Sequence, residues 1–176
     1  MDAERITHAF LPVYDSNSRI LVLGTMPSPK SRENGFYYSH PQNRFWKVLS
    51  RLFDEPFPDT VEEKRSLALR HGIALWDVLA ECDIRGADDS SIRNPVANDI
   101  GGLLNQAPIG GIFATGATAA RLYRKLVLPK TGRDCILLPS TSPANCRYSL
   151  DMLCKEYQIL LSHLEGLDDC ETNRVN

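Results

Sequence analysis

Two loop segments of this sequence concentrate side chains that could act on a flat, polar ligand. The first runs from Gly24 to Lys30 and continues through 35–46 (GFYYSHPQNRFW), where aromatic rings, an amide and cations precede a helical pattern. The second, 138–147 (LPSTSPANCR), is short, polar and braced by prolines. A rigid aromatic pocket on one loop and a stiff polar finger on another are what a base-flipping enzyme requires, because one grips the extruded base and the other holds the duplex open.

Each segment also has an ordinary structural interpretation. The aromatic residues of 36–46 could anchor a loop to the hydrophobic core, and the hydroxyls of 140–142 could cap a turn. The residue types alone leave both interpretations open.

Four short apolar runs must position these loops. They lie at 19–24, 71–78, 110–115 and 135–139. Their apolarity is continuous rather than alternating, which indicates strands buried on both faces and hence a mainly parallel sheet. We predict an α/β fold, a three-layer α/β/α sandwich with a central, mainly parallel four-stranded sheet. Sites in such folds lie outside the carboxyl ends of the strands. The residues at those ends are Gly24, Asp77, Thr115 and Pro139.

Helical patterns separate the strands. Apolar residues recur at helical spacing over 45–52 and predict an amphipathic helix. Its outward cations are Arg44, Lys47 and Arg51. A capping box at 60–63 predicts the start of a second helix, and 117–128 and 150–164 predict two more. We expect a single domain over 1–176 with its core at about 19–165, and with a peripheral N-terminal segment and tail after Gly166.

The charge distribution is more informative than the net charge of −2. Basic residues gather in 19–53 and 100–133, whereas the acids lie mainly in 54–63, 77–89 and the tail. This pattern predicts either a basic face for a nucleic acid or an ordinary solvated surface.

The sequence gives no indication of membrane insertion, export or metal binding. No apolar run reaches 18 residues and the first ten residues carry charges. We therefore expect a cytoplasmic protein, associated with the nucleoid if its source is prokaryotic. The five cysteines form no C-x-x-C pair, which predicts buried free thiols and no metal or other cofactor.

Three strings in the chain resemble motifs of the uracil-DNA glycosylase superfamily. They are Gly24–Ser28 (GTMPS), His40–Val48 (HPQNRFWKV) and Leu138–Ser142 (LPSTS). The resemblance covers 19–165 and is closest to the branch that excises hypoxanthine, the DNA-deoxyinosine glycosylases. The mismatch-specific thymine/uracil branch is also similar.

The resemblance implies roles for individual residues. Tyr38 would stack on the flipped base, a position that the mismatch branch fills with phenylalanine. The residues implied to contact the base are Gly24, Thr25, Met26, Tyr38 and His40. Those implied to contact DNA are Ser140, Thr141, Ser142, Pro143, Ala144, Asn145, Arg147, Arg44 and Lys47. Short hydroxyls and backbone N–H groups suit phosphate contacts because they approach closely and carry no sequence preference.

The chain departs from the mismatch branch at two positions. Met26 stands where that branch has an asparagine that positions the attacking water, and a thioether cannot hold water in this way. Similarity to the deoxyinosine branch implies Asn43 as the catalytic residue instead. Asn43 could also cap the helix that follows it. Ser140 replaces the superfamily's histidine in the last motif.

The implied activity is that of a monofunctional DNA glycosylase, acting as a monomer on DNA that contains a deaminated base. A uracil or thymine mismatch glycosylase and a catalytically silent DNA-binding module remain alternatives. A lyase reaction through Lys30 would require a desolvated pocket to depress its pKa, and the sequence shows no such pocket. A small-molecule α/β hydrolase is disfavoured because G-x-S-x-G is absent.

Overall fold

A computed structural model describes the backbone of residues 2–172 and the side-chain surroundings through Gly166. The strands are β1 (Glu4–Thr7), β2 (Ile20–Gly24), β3 (Ile73–Asp77), β4 (Leu79–Arg85), β5 (Asp88–Ala97), β6 (Gly111–Thr115) and β7 (Ile136–Leu138). The helices are α1 (Pro29–Asn34), α2 (Phe45–Leu52), α3 (Val61–Arg70), α4 (Ile100–Gln106), α5 (Ala117–Leu126), α6 (Leu128–Thr131), α7 (Leu150–Tyr157) and α8 (Ile159–Thr172). Residues 1 and 173–176 lie outside the described part.

The four predicted strands form one parallel sheet in the order β3-β2-β6-β7. Alternate residues of β2 pack into two separate hydrophobic clusters, one on each face of the sheet. Leu21 packs with residues of α4 and α5, whereas Val22 packs with residues of α2, α3 and α7. The sheet is therefore covered by helices on both faces, and the predicted three-layer α/β/α architecture is confirmed.

A second, antiparallel sheet in the order β1-β4-β5 was not predicted. Its strands carry many charged residues, so they lack the continuous apolarity that marks the central sheet. Arg5 of β1 donates hydrogen bonds to Glu81 and Asp83 of β4, at 2.7 and 3.3 Å. The N-terminal segment, expected to be peripheral, thus pairs with β4 from Glu4 to Thr7.

The predicted helices form with small changes at their ends. Both hydrogen bonds of the capping box between Thr60 and Glu63 are present at the start of α3. The predicted helix 117–128 ends at Leu126, and α6 follows with Pro129 in its first turn, where a missing N–H does no harm. The last predicted helix is divided into α7 and α8, and α8 continues past Gly166 to Thr172.

The described cysteines are free thiols. Cys82 and Cys135 are buried, Cys154 is partly buried and Cys146 is exposed. The prediction of buried thiols therefore holds for two of these four residues.

Candidate active site

A cavity of about 650 Å³ lies at the carboxyl edge of the parallel sheet. This volume falls within the range of roughly 300–1,000 Å³ that is usual for small-molecule sites. Four groups of residues predicted from the sequence line it: Gly24–Ser28, four residues of the next loop (Tyr37, Tyr38, His40 and Asn43), Thr115, and Ser140–Asn145. A fifth group, 86–90 at the β4–β5 turn, also lines it and was not predicted. The two loops singled out by their chemistry thus meet at one site.

Tyr38 is held rigidly at this cavity. Its ring stacks on Phe45, with centroids 3.9 Å apart and planes inclined by 18°, and its hydroxyl lies 3.2 Å from the Thr115 hydroxyl. Burial raises the pKa of the Tyr38 phenol well above its usual range, so the hydroxyl stays neutral. The backbone at Tyr38 has a φ of +52°, a left-handed conformation that costs about 1–3 kcal/mol in a residue of this type. The fold therefore sustains local strain to place this ring.

Gly24 allows the backbone of β2 to pass close to two polar groups. A Cβ atom at this position would lie 2.4 Å from Asp77 Oδ1 and 3.4 Å from the Tyr38 hydroxyl. Any side chain would therefore displace the Asp77 carboxylate. The neighbouring Thr25 is buried, and Met26 packs at the edge of the hydrophobic cluster that contains Leu21.

Asp77 is oriented by a histidine from the N-terminal segment. His8 Nε2 lies 2.7 Å from Asp77 Oδ2, and the side chains are 2% and 6% exposed. The Phe10 N–H donates to His8 Nδ1 at 3.2 Å, so Nδ1 is unprotonated and Nε2 carries the hydrogen that is donated to Asp77. Asp77 Oδ1 accepts no hydrogen bond from any residue of the described chain, and Asp77 lines the cavity. A buried carboxylate oxygen is thus open to a ligand.

Asn43 joins the two chemically distinctive loops. Its Oδ1 accepts hydrogen bonds from the Phe45 N–H at 2.9 Å and from the Thr141 hydroxyl at 2.8 Å. The N-cap position of α2 is Arg44, whose side chain makes no cap hydrogen bond, and Asn43 supplies the capping contact to Phe45 from one residue earlier. Its Nδ2 donates to no residue among those described, and Asn43 lines the cavity. Capping uses the carbonyl end of the amide and leaves the nitrogen end available to a ligand or water.

The remaining predicted base and loop contacts also lie at the cavity. The His40 ring accepts a hydrogen bond from the Gln42 N–H at 3.1 Å and leaves Nε2 available. Ser140 accepts from the Ser142 N–H at 3.2 Å, and the Asn145 side chain donates to the Ser140 carbonyl at 2.9 Å. Pro143 and Ala144 line the rim, but Arg147 is exposed and is not part of the lining.

Arg44 does not face solvent as the helical periodicity predicted. Its guanidinium donates to carbonyls of the 141–148 loop: Thr141 at 3.4 Å, Ser142 at 2.9 Å, Asn145 at 3.0 Å, and Tyr148. Four of its five N–H groups are thereby used. Arg44 precedes the first turn of α2, where the loop lies against it, and this use of its donors argues against the predicted phosphate contact. Lys47 is exposed, and Arg51 pairs with Asp151 at 2.7 Å.

We expect Arg44→Ala to loosen this loop without removing a phosphate contact. The free energy of unfolding should fall by about 1–3 kcal/mol, because several carbonyls lose a charged donor. Thermal unfolding measures this loss. The slope of log affinity against log salt for DNA should stay unchanged, whereas loss of one phosphate contact lowers that slope by about 0.9. Lys47→Ala is the matched control, and a lower slope in Arg44→Ala would show that Arg44 contacts phosphate after all.

Two residues of the site, His8 beside Asp77 and Asp89 in the cavity lining, carried no recognisable signal in the sequence analysis. His8 lies in a segment without a motif, and Asp89 lies on a hairpin that was not predicted. The alternation of buried Cys82 and Ile84 with polar neighbours could have indicated β4, and hence the hairpin turn beside the cavity.

The comparisons with known proteins agree with the observed fold. The family model of the uracil DNA glycosylase superfamily matches residues 11–165. The chain therefore belongs to the uracil DNA glycosylase superfamily, and the family inferred from the three motifs is confirmed.

Particular relatives are similar over most of the chain. A hypoxanthine DNA glycosylase of Methanosarcina acetivorans is 35% identical over 145 residues, which are 82% of this chain and 91% of the relative. A hypoxanthine DNA glycosylase of Methanosarcina barkeri is 32% identical over 139 residues, 78% of this chain and 87% of the relative. A solution NMR structure of a candidate uracil DNA glycosylase from Methanosarcina acetivorans has a TM-score of 0.76 and 33% identity, covering 90% of this chain and 98% of that one.

Proposed function

We propose that this protein is a monofunctional DNA glycosylase. It flips a deaminated base, hypoxanthine in deoxyinosine, out of DNA and hydrolyses the N-glycosidic bond. The product is an abasic site for base excision repair. One observation carries the proposal: a stacking ring (Tyr38), an amide nitrogen (Asn43) and an open buried carboxylate oxygen (Asp77) come from three separate segments and line one cavity.

The cavity suits the lactam edge of a deaminated base. Hypoxanthine carries a ring N–H beside its carbonyl, whereas adenine has an acceptor nitrogen at the same position. Asp77 Oδ1 is an acceptor without a partner among the described residues, and a hydrogen bond from a ring N–H would satisfy it. An acceptor nitrogen there would instead leave the buried carboxylate unpaired, which is costly. The names of the two curated relatives support the same base.

The reaction needs few groups. The bond between C1′ and the base breaks as positive charge develops on the sugar, and water adds to C1′. Asn43 Nδ2 can donate to that water and hold its oxygen toward C1′, while Oδ1 remains fixed by Phe45 and Thr141. Because Nδ2 is only a donor, it positions the water and does not accept its proton. Backbone groups at Gly24 and Thr25 would face the base edge as negative charge develops.

The hydroxyl loop is proposed to act on the DNA backbone. Ser140, Thr141 and Ser142 would contact phosphates beside the flipped nucleotide, and 143–147 would enter the gap that it leaves. Lys47 is an exposed cation at the start of α2 that could contact phosphate. The protein is proposed to act as a monomer in the cytoplasm, without a metal or cofactor. Within the described residues, no helix is long and apolar enough to cross a bilayer.

The direct test is product analysis on defined duplexes. We expect the purified protein, in excess EDTA, to release free base from a deoxyinosine duplex and leave an intact strand that breaks only after alkali. Parallel duplexes with deoxyuridine, deoxyxanthosine or thymine opposite guanine define the preferred base. Covalent trapping with borohydride would contradict the monofunctional mechanism, and Lys30 would be the first residue to replace. Preference for uracil or mismatched thymine would favour the alternative glycosylase activity, and binding without base release would favour a silent DNA-binding module.

A further inference from the structure

The β4–β5 hairpin brings a second carboxyl group to the cavity. Asp88, Asp89 and Ser90 of its turn line the cavity together with Asp77 from β3. Asp88 is exposed and accepts hydrogen bonds from the Ser90 N–H at 3.0 Å and from the Ser90 hydroxyl, so it is committed to the turn. Asp89 is partly buried, and its carboxyl group accepts no such hydrogen bond from Ser90. The site already described makes no use of Asp89.

Carboxyl groups that share a cavity disfavour each other's ionised form. The described lining contains no lysine and no arginine. Asp77 has the His8 N–H as a donor at 2.7 Å, and its side chain is only 6% exposed. A flipped base would displace water from the cavity and remove the solvation of any second charge. Under those conditions the proton belongs on Asp89, whose donor is the neutral Thr25 hydroxyl rather than a buried histidine N–H.

The surroundings of Asp89 act in the same direction. Burial raises the pKa of Asp89, and the Asp77 and Asp88 carboxylates raise it further, while the Thr25 hydroxyl lowers it. The other titratable groups that line the cavity are Tyr37, Tyr38 and His40. The surroundings of Asp89 therefore favour its protonated form, and a carboxyl group kept protonated in a cavity is typical of acid–base catalysis.

We propose that Asp89 is the general acid that protonates the departing purine, with Asp77 as the neighbouring carboxyl group in the same cavity. This inference rests on the proposed glycosylase function and names the residue that deals with its leaving group. The C1′–N9 bond breaks and its electron pair moves into the purine ring. A ring acceptor nitrogen takes the Asp89 proton, so neutral hypoxanthine leaves. Water adds to C1′ and loses one proton, which restores the Asp89 carboxyl group through solvent, and the net proton count is zero.

Single-turnover rates on a deoxyinosine duplex, measured across pH, test the role of Asp89. The wild-type rate should fall with rising pH, by about tenfold per pH unit above the pKa of Asp89 in the complex, because only the protonated form is active. Asp89→Asn should lower the rate by ~10²-fold or more at low pH and lose this pH limb. Asp89→Glu should restore part of the rate and the limb. Asp88→Asn, on the same turn, is the matched control: it should keep the pH limb, displaced to lower pH because the Asp88 carboxylate raises the pKa of Asp89.

Different results would contradict the role of Asp89 and the proposed glycosylase function. Melting temperature and lesion-DNA affinity should be near wild type in Asp89→Asn, since the side chain is only partly buried. A wild-type rate and pH profile in Asp89→Asn, or an equal loss in Asp88→Asn, would overturn the role of Asp89 while leaving the glycosylase intact. Failure of the wild-type protein to release hypoxanthine would overturn the proposed function and this inference together.

Discussion

Asn43→Ala should reduce the single-turnover rate of base release by ~10²–10⁴-fold, the range typical of one positioned catalytic group. The amide nitrogen of Asn43 donates to no described residue and lies at the cavity, so its loss removes the group proposed to hold water. DNA affinity should change little, because the interaction is made mainly in the transition state. Quenched single-turnover cleavage and equilibrium binding to lesion DNA measure the two effects separately.

Capping must be separated from catalysis at this position. Asn43→Ala also removes the acceptor for the Phe45 N–H, and loss of such a cap typically costs about 1 kcal/mol of stability. Asn43→Ser is the matched control, because a serine hydroxyl is as good a cap acceptor as the asparagine carbonyl but supplies no amide nitrogen. Rates should be compared well below each melting temperature. If Asn43→Ser cleaves at the wild-type rate, Asn43 is only a cap, and His40 and Ser140 become the next candidates for positioning water.

Tyr38→Ala should weaken binding to lesion DNA by ~1–3 kcal/mol, or about 5–150-fold in Kd, together with the cleavage rate. The stacking face contributes to ground and transition states alike, so both quantities should fall. Binding to a matched duplex without a lesion should change less, because the cavity is empty in that complex. Fluorescence anisotropy with the two duplexes measures the difference.

Tyr38→Phe distinguishes the ring from its hydroxyl. Phenylalanine keeps the stacked contact with Phe45 and loses only the contact with the Thr115 hydroxyl at 3.2 Å. We expect near-wild-type affinity for lesion DNA in this variant. Equal losses in Tyr38→Phe and Tyr38→Ala would mean that the hydroxyl, not the aromatic face, supports the bound base.

The sequence by itself determined the central sheet and the loops that emerge from it. A continuous apolar run such as 19–24 is stable only when both of its faces are buried, so each run predicts a parallel strand without knowledge of its neighbours. The same holds for α2, whose apolar residues recur at helical spacing, and for the capping box at Thr60 and Glu63. Since parallel strands place their carboxyl ends at one edge, the segments containing Tyr38 and Ser140 could be expected to meet there.

The tertiary structure decided the features that depend on contacts between distant segments. Strand β4 has charged residues on one face and needs pairing with β1 from the other end of the sequence, as in Glu4 with Ile84. Likewise, the helical periodicity predicts that the Arg44 side chain faces solvent. It points instead at backbone carbonyls about a hundred residues away in the sequence, to which it donates hydrogen bonds.

The two carboxyl groups of the cavity, Asp77 and Asp89, also depend on contacts between segments that are distant in the sequence. His8 reaches Asp77 across 69 residues, and Asp89 reaches the cavity only because β4 and β5 pair. Local patterns report which faces of a segment are buried, whereas these contacts depend on which segments the folded chain brings together. For this reason the stacking ring and the amide were predicted from sequence motifs and Asp77 was predicted only as the end of a strand, whereas the contact of Asp77 with His8 and the place of Asp89 in the cavity were recognised only in the folded chain.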